Sequence, residues 1–155
     1  LDVPENLTET IDLNLKTSMP PKTTLKIDNH KPTLIYNYYN LDPNWRIDKE
    51  YNRVFLIEPK VFDKYPVSNK CLDFSIELSK NIDGIQIFVG SFFDLINEHS
   101  IKETIYKEHP LNNYKGIEDQ RDWMFESKEN LRSFFSYWKK CKKELKIKNL
   151  IKWKN

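Results

Sequence analysis

The polar residues best able to do chemistry in this chain stand at the ends of short apolar runs. Asn37 and Asn40 follow Thr33-Leu-Ile-Tyr36, and Glu58 follows Val54-Phe-Leu-Ile57. Ser91 follows Ile87-Phe-Val-Gly90, while Glu108 and His109 follow Thr104-Ile-Tyr-Lys107. Tyr38 and Trp45 lie close to the first group. Amides and carboxylates read the edge of a heterocycle while aromatic rings cover its face. Asn37, Tyr38, Asn40, Trp45, Glu58, Ser91 and Glu108 are therefore candidate ligand-binding residues. The alternative is that these groups cap strands and helices while the rings fill an interface to another domain. Arg121 and Trp123 add a second pair, which either stack on a base or cofactor or pin their own loop by a salt bridge and burial. His109 precedes Pro110, and no nucleophile or second acid pairs with it, so it reads as structural rather than as a general base.

Several chemistries lack their residues. Glycine occurs only at 84, 90 and 116, so a Gly-rich phosphate cradle or dinucleotide turn cannot be built. No nucleophile elbow or metal-binding helix is present. His30, His99, His109, Cys71 and Cys141 are scattered, without metal-ligand spacing or a disulfide framework. Both cysteines fall on the apolar faces of predicted helices, as small buried hydrophobes.

The elements that must position these residues follow from hydrophobic periodicity. Thr33 to Tyr39 predicts a first strand, and Leu41-Asp-Pro-Asn-Trp45 a turn. Residues 46–52 are charged and suit a helical turn. Arg53 to Ile57, almost wholly apolar, predicts a strand covered on both faces and ended by Pro59. Ser68 is an N-cap for a helix whose Cys71, Phe74, Ser75, Leu78 and Ile82 define the inward face, closed by Asp83-Gly84. Ile85 to Val89 predicts a third strand, terminated by Gly90 and followed by a short helix with Phe92, Phe93, Leu95 and Ile96 that ends near His99-Ser100. Glu103 to Glu108 alternates like an edge strand. The polar section 111–126 predicts a loop. Ser127 then caps a helix with a stripe at Leu131, Phe134, Phe135, Trp138, Cys141 and Leu145, expected in the core.

Strands alternating with helices predict an α/β fold: a small, mainly parallel four-stranded sheet, Rossmann-like, with helices on its faces and right-handed crossovers. Ligands of such sheets sit outside the carboxyl ends of the strands, where the candidate residues converge. Residues 1–31, Pro-punctuated and rich in Thr, read as an arm from a preceding domain. Residues 32–146 form the α/β domain, and 147–155 a basic tail.

With 155 residues the chain can bury a sizeable core, and 31% charged residues give it a well-wetted surface. No apolar run reaches the roughly 20 residues that span a bilayer, and no secretory leader is visible, so a cytoplasmic protein without membrane contact is expected. The chain starts at Leu1 and reads as a piece of a longer protein. Its net charge of +2 is uneven: from Lys139 to Asn155 eight lysines face one glutamate, a local +7 that leaves −5 elsewhere. Such a tail suits nucleic acid, an acidic partner or a membrane surface, and equally a solvated helix end.

The order of these features resembles the α/β domain of the photolyase/cryptochrome family. There a second strand ends in an acidic residue and Pro, as at Phe55-Leu-Ile-Glu58-Pro59. A third ends at Gly before a short helix, as at Gln86-Ile-Phe-Val-Gly90-Ser91. Tyr36-Asn-Tyr-Tyr-Asn-Leu-Asp-Pro-Asn-Trp45, Lys64-Tyr-Pro-Val-Ser68 and Arg121-Asp-Trp-Met-Phe125 are similar to the C-terminal part of bacterial FAD-binding, deoxyribodipyrimidine-photolyase-like proteins. The chain has Tyr36-Asn-Tyr-Tyr39 where the family carries Trp-Phe-Arg-Arg. The resemblance implies an accessory domain packed on a flavin-binding domain of the same parent chain, with FAD held outside this segment. It further implies a site for an antenna chromophore near the strand ends, and DNA as the parent's partner, a repair lyase. This segment alone is then not catalytic. A free-standing nucleotide-binding α/β domain and a nucleic-acid interaction module using the basic tail are the alternatives.

Overall fold

Short β-branched and aromatic runs form β1 (Thr33–Tyr36), β2 (Asn52–Ile57), β3 (Ile85–Val89), β4 (Thr104–Lys107) and β5 (Ile117–Asp119). Helices α1 (Pro59–Lys64), α2 (Asn69–Ser79) and α3 (Phe92–His99) alternate with them, and α4 (Phe134–Lys152) comes last. The structure is a computed structural model that describes residues 15–121, Phe125 and 133–152, the last seven as backbone only. It falls into two compact units, Leu1–Gln120 and Arg121–Asn155.

The sheet order is β3-β2-β1-β4-β5 and every neighbouring pair is parallel. The α/β reading and the parallel run of the four expected strands are therefore present, with β5 as a fifth. Strand β4 is not an edge strand as expected: it lies between β1 and β5. Its side chains are buried on both faces, and only its carboxyl end, Lys107-Glu108, reaches solvent, which gave it an edge-like polarity. Strand β5 hid in the section expected as a loop. Three residues, two of them charged, are too few to show a period.

Side chains alternate between two cores with the period of two that a strand imposes. Leu34, Tyr36, Phe55, Ile57 and Ile105 face one side with Phe62 of α1, Leu72 of α2, Ile82 and Trp45. Ile35, Val54, Leu56, Phe88 and Tyr106 face the other with Leu95 of α3, Ile101 and Leu25. The unbroken apolar run of β2 is thus explained, since both its faces are covered.

Strand β1 stops at Tyr36, three residues early, because Asn37 and Asn40 pair antiparallel and turn the chain. Residues 46–52 hold no helix. The β1–β2 connection instead lays Trp45 on the core, and Arg46 adopts a left-handed φ of 49°. Helix α1 was also missed, its Pro59 sitting at the first helical position where no N–H is needed.

Helix α2 is capped by Ser68 as expected, but its inward face differs. Leu72, Ser75 and Ser79 are buried, whereas Cys71 is exposed, Leu78 is exposed, and Phe74 is 67% exposed. The serines bond back to their own helix, Ser75 Oγ to the Leu72 carbonyl and Ser79 Oγ to the Ile76 carbonyl, both at 2.7 Å. These hydroxyls are satisfied within the helix and so can be buried without further partners, while the bulkier Phe74 and Leu78 turn outward.

In its described part, the arm is bound to this domain as a strap around the β3 edge. Thr17 exchanges hydrogen bonds with Val67, Thr23 Oγ1 donates to the Ile87 carbonyl, and the Gln86 amide pairs with both backbone groups of Lys26. Leu25 is buried beyond. Buried Asn52 then ties the strap to β2, accepting from Asp28 N–H at 3.0 Å and donating to the Asp28 and Lys31 carbonyls. Covering an edge strand removes a template for pairing with other chains.

In the second unit, Cys141 is buried, but Phe134, Phe135 and Trp138 are exposed, against the core role expected for them. The inward arc of α4 runs instead through Tyr137 and Cys141, with Leu145 half-buried. Ser127 and Leu131 lie outside the described residues.

Candidate functional site

Strand order reverses between β1 and β4, so the crevice of this sheet opens beyond their carboxyl ends. The chain fills it from within. Buried Asn37, 7% exposed, donates from Nδ2 to Asn112 Oδ1 at 2.8 Å and to the Tyr114 hydroxyl at 3.5 Å. Its Oδ1 accepts from the Tyr39 N–H at 3.0 Å. Tyr114 donates to Glu58 Oε2 at 3.1 Å, and Glu58 Oε1 accepts the Phe92 N–H at 3.1 Å. Asn112 Nδ2 donates to the Lys107 carbonyl at 2.7 Å. Burial, and secondarily the Glu58 carboxylate, push the Tyr114 phenol far above its ordinary pKa; it stays a proton donor at physiological pH.

The geometry follows from local structure. Glu58 caps α1 by position only, so its carboxylate is available to the first N–H of α3. Ser91 is occupied by a capping box with Asp94, whose carboxyl is held below the ordinary range by the Ser91 hydroxyl and backbone N–H. Tyr114 rides on the 108–116 return loop, its ring against Phe92 and edge-on to Tyr106, at 5.0 and 5.4 Å between centroids. Gly116, at φ 140°, lets that loop lie directly on Thr104, where a Cβ would overlap the threonine hydroxyl and carbonyl.

Of the sequence candidates, Asn37, Glu58 and, at their flank, Tyr38 come together. Tyr38 stands edge-on to Phe62 at 5.6 Å. Asn40 closes the turn with Asn37, and its Nδ2 meets no protein acceptor among the described residues. Glu108 joins the rim through its backbone N–H, which donates to the Asp119 carbonyl at 2.7 Å. His109 stacks on Tyr39 at 4.0 Å, with Nδ1 accepting the Leu111 N–H. Trp45 is used elsewhere, its ring against Tyr36 and its Nε1–H bonded to Asp119. Arg121 belongs to the second unit, and Trp123 lies outside the described residues. Asn112 and Tyr114 were missed as site residues. They come from a loop with no local period, and the sole signal was the crowding of large side chains in a polar stretch.

Only about 20 Å³ is left inside the crevice, between Asn37, Leu56, Glu58, Phe62 and Tyr114, room for about one water. Beside it, past Tyr114, runs a groove of about 700 Å³ lined by Phe92, Phe93, Ile96, Leu111 and Ile117. That is the size and character of small-molecule sites. A further opening of about 650 Å³ lies at the β2 and β3 ends among Lys22, Lys60, Gly90 and Ser91. Among the described residues no group of three or more His, Cys, Asp or Glu is placed to hold a metal, and no helix is long and apolar enough to cross a membrane. Comparison with protein-family models, curated proteins and solved structures found no match to this chain.

Proposed function

We propose that this chain is the accessory α/β domain of a flavin-dependent, photolyase/cryptochrome-like protein. It packs on the flavin-binding domain of its parent, which carries FAD and meets DNA, and performs no bond chemistry of its own. The strand order 3-2-1-4-5 is that of Rossmann-like sheets, which agrees with the resemblance carried by Leu56-Ile-Glu-Pro59 and Lys64-Tyr-Pro-Val-Ser68.

One observation carries this reading: the crevice where such sheets normally bind substrate is closed by Asn37, Glu58, Asn112 and Tyr114, each satisfied by another residue of this chain. A domain built to react would aim those groups at solvent. The apolar groove beside Tyr114 is where an antenna chromophore would lie. Energy transfer asks only that a pigment be held rigidly, and the capped α3 and the pinned 108–116 loop are rigid walls.

The test is to express the whole reading frame that contains this chain. A yellow product with flavin absorption, whose reading frame encodes a helical domain before Leu1, supports the proposal. A colourless product with no such domain refutes it.

A further inference from the structure

Beyond the parallel sheet, the molecule carries a second feature with a chemistry of its own. Among the described side chains of α4, residues 134–145, two adjacent rows at i, i+4 spacing are exposed, Phe134–Trp138–Lys142 and Phe135–Lys139–Lys143. All six are solvent-exposed, Phe135 at 80%. Each row begins aromatic and ends basic. The Phe134 and Trp138 rings are parallel within 7°, with centroids 6.4 Å apart, and Lys142 Nζ stands 5.8 Å from the Trp138 centroid. Over Phe134–Lys152 seven lysines face one glutamate, Glu144. Three exposed aromatic rings beside three exposed lysines, Lys139, Lys142 and Lys143, form a surface patch that marks an interaction site.

We infer that this face of α4 binds single-stranded nucleic acid, bases stacking on Phe134, Phe135 and Trp138 while Lys139, Lys142 and Lys143 neutralise phosphates. The pairing of flat rings with a cationic track is what single strands require, since every base offers a π-face and every nucleotide a charge. A duplex offers the lysines its phosphates but hides its bases from the rings. An anionic bilayer would want apolar side chains along the whole helix. Among the described side chains of α4, residues 134–145, the apolar part of the exposed face ends at Trp138 and lysines follow it. The inference stands whether or not a flavin domain precedes this chain.

The experiment is fluorescence anisotropy of the full chain with labelled oligothymidylate, a labelled duplex of the same length, and anionic phosphatidylserine vesicles, over a salt series. Tighter binding to the single strand is expected. W138A should weaken it by about 5- to 150-fold, the range for losing one stacked base, with the salt slope unchanged. Replacing Lys139, Lys142 and Lys143 together by Gln should instead flatten the slope of log affinity against log salt by about 2, from roughly 0.7 per phosphate contact. All these positions are exposed, so unchanged thermal melts should accompany both variants. Equal affinity for duplex with W138A silent would reduce the site to an unspecific polycation and overturn the inference. Binding to vesicles alone, or to no probe, would overturn it as well.

Discussion

The β5 edge is held by a latch whose removal should be measurable. Asp119 accepts two hydrogen bonds from the Arg46 guanidinium, Nε at 2.6 Å and Nη2 at 2.7 Å, and a third from Trp45 Nε1 at 2.9 Å. Arg46 also donates to Tyr51 Oη at 3.2 Å, and the pair is partly shielded, with side chains 31% and 23% exposed. Losing a partly exposed bidentate pair costs about 1 kcal/mol, the upper end for surface pairs. Asp119→Ala does more, because Trp45 is only 4% exposed and its indole N–H loses its acceptor, a further cost of about 1–3 kcal/mol. The sum, about 2–4 kcal/mol, corresponds to a melting-temperature drop of about 5–15 °C in a chain of this size. Arg46→Ala keeps the indole bond and should cost about 1 kcal/mol. Arg46→Gly should cost less still, because it relieves the left-handed φ of 49°, itself worth roughly 1–2 kcal/mol. The Arg46 hydrogen bonds, and then the Trp45 bond, hold the Asp119 carboxyl below its ordinary range. A carboxylate with a lowered folded-state pKa stabilises above its unfolded value, near ~3.9, and that contribution is lost as pH falls through the folded value. The stability gap between the wild type and Asp119→Asn should therefore be constant at neutral pH and close below about pH 4. Urea unfolding at several pH values measures all of this. An Asp119→Ala cost within about 0.5 kcal/mol, the ordinary range for surface substitutions, would refute the latch.

Four further outcomes are expected. Gly116→Ala should destabilise far more than Gly84→Ala: both backbones have positive φ, but a Cβ at 116 overlaps Thr104 whereas one at 84 meets nothing within 4 Å. Chemical denaturation should then separate about 1 kcal/mol at Gly84 from several at Gly116. Tyr114→Phe removes the hydroxyl that joins half-buried Glu58 to Asn37 and should cost about 1.5–3 kcal/mol in the same assay, the worth of a hydrogen bond to a charged group. Leu25→Ala should cost about 2–5 kcal/mol if the strap is part of the core, and light scattering should show self-association when residues 15–31 are deleted and the β3 edge is bared.

How much of this was legible in the sequence depended on whether a residue's fate was decided locally. Strand β3 matched its expected bounds because Ile85-Gln-Ile-Phe-Val is closed at both ends by Gly84 and Gly90. The Ser68 cap was legible because its partners, the N–H and thiol of Cys71, lie three residues away. The strap depends on bonds 21 to 64 residues apart and the latch on bonds 73 and 74 apart, which no local pattern encodes, and β5 is too short to show a period although its partner β4 is near in sequence. The same limit governed the site: Asn37 and Glu58 announced themselves at strand ends, while Tyr114, 56 residues from Glu58, looked like any loop aromatic.

The two helices whose inward faces were misread share one physical cause. Ranking residues by apolarity assumes that the largest apolar surface goes inward. In α2 the inward positions are Leu72 and the small Ser75 and Ser79, each serine satisfied by its own backbone, and Phe74 is left outside. In α4 the inward arc passes through Tyr137 and Cys141, leaving Phe134, Phe135 and Trp138 on the surface beside the lysines. Hydroxyls satisfied within the helix made the first case unreadable by apolarity. In the second the apolar residues surround so much of the helix that period alone could not choose an arc, and the row left outside is the one contiguous with positive charge. The rings left on that side are the ones on which the proposed single strand would stack, next to the lysines that would meet its phosphates.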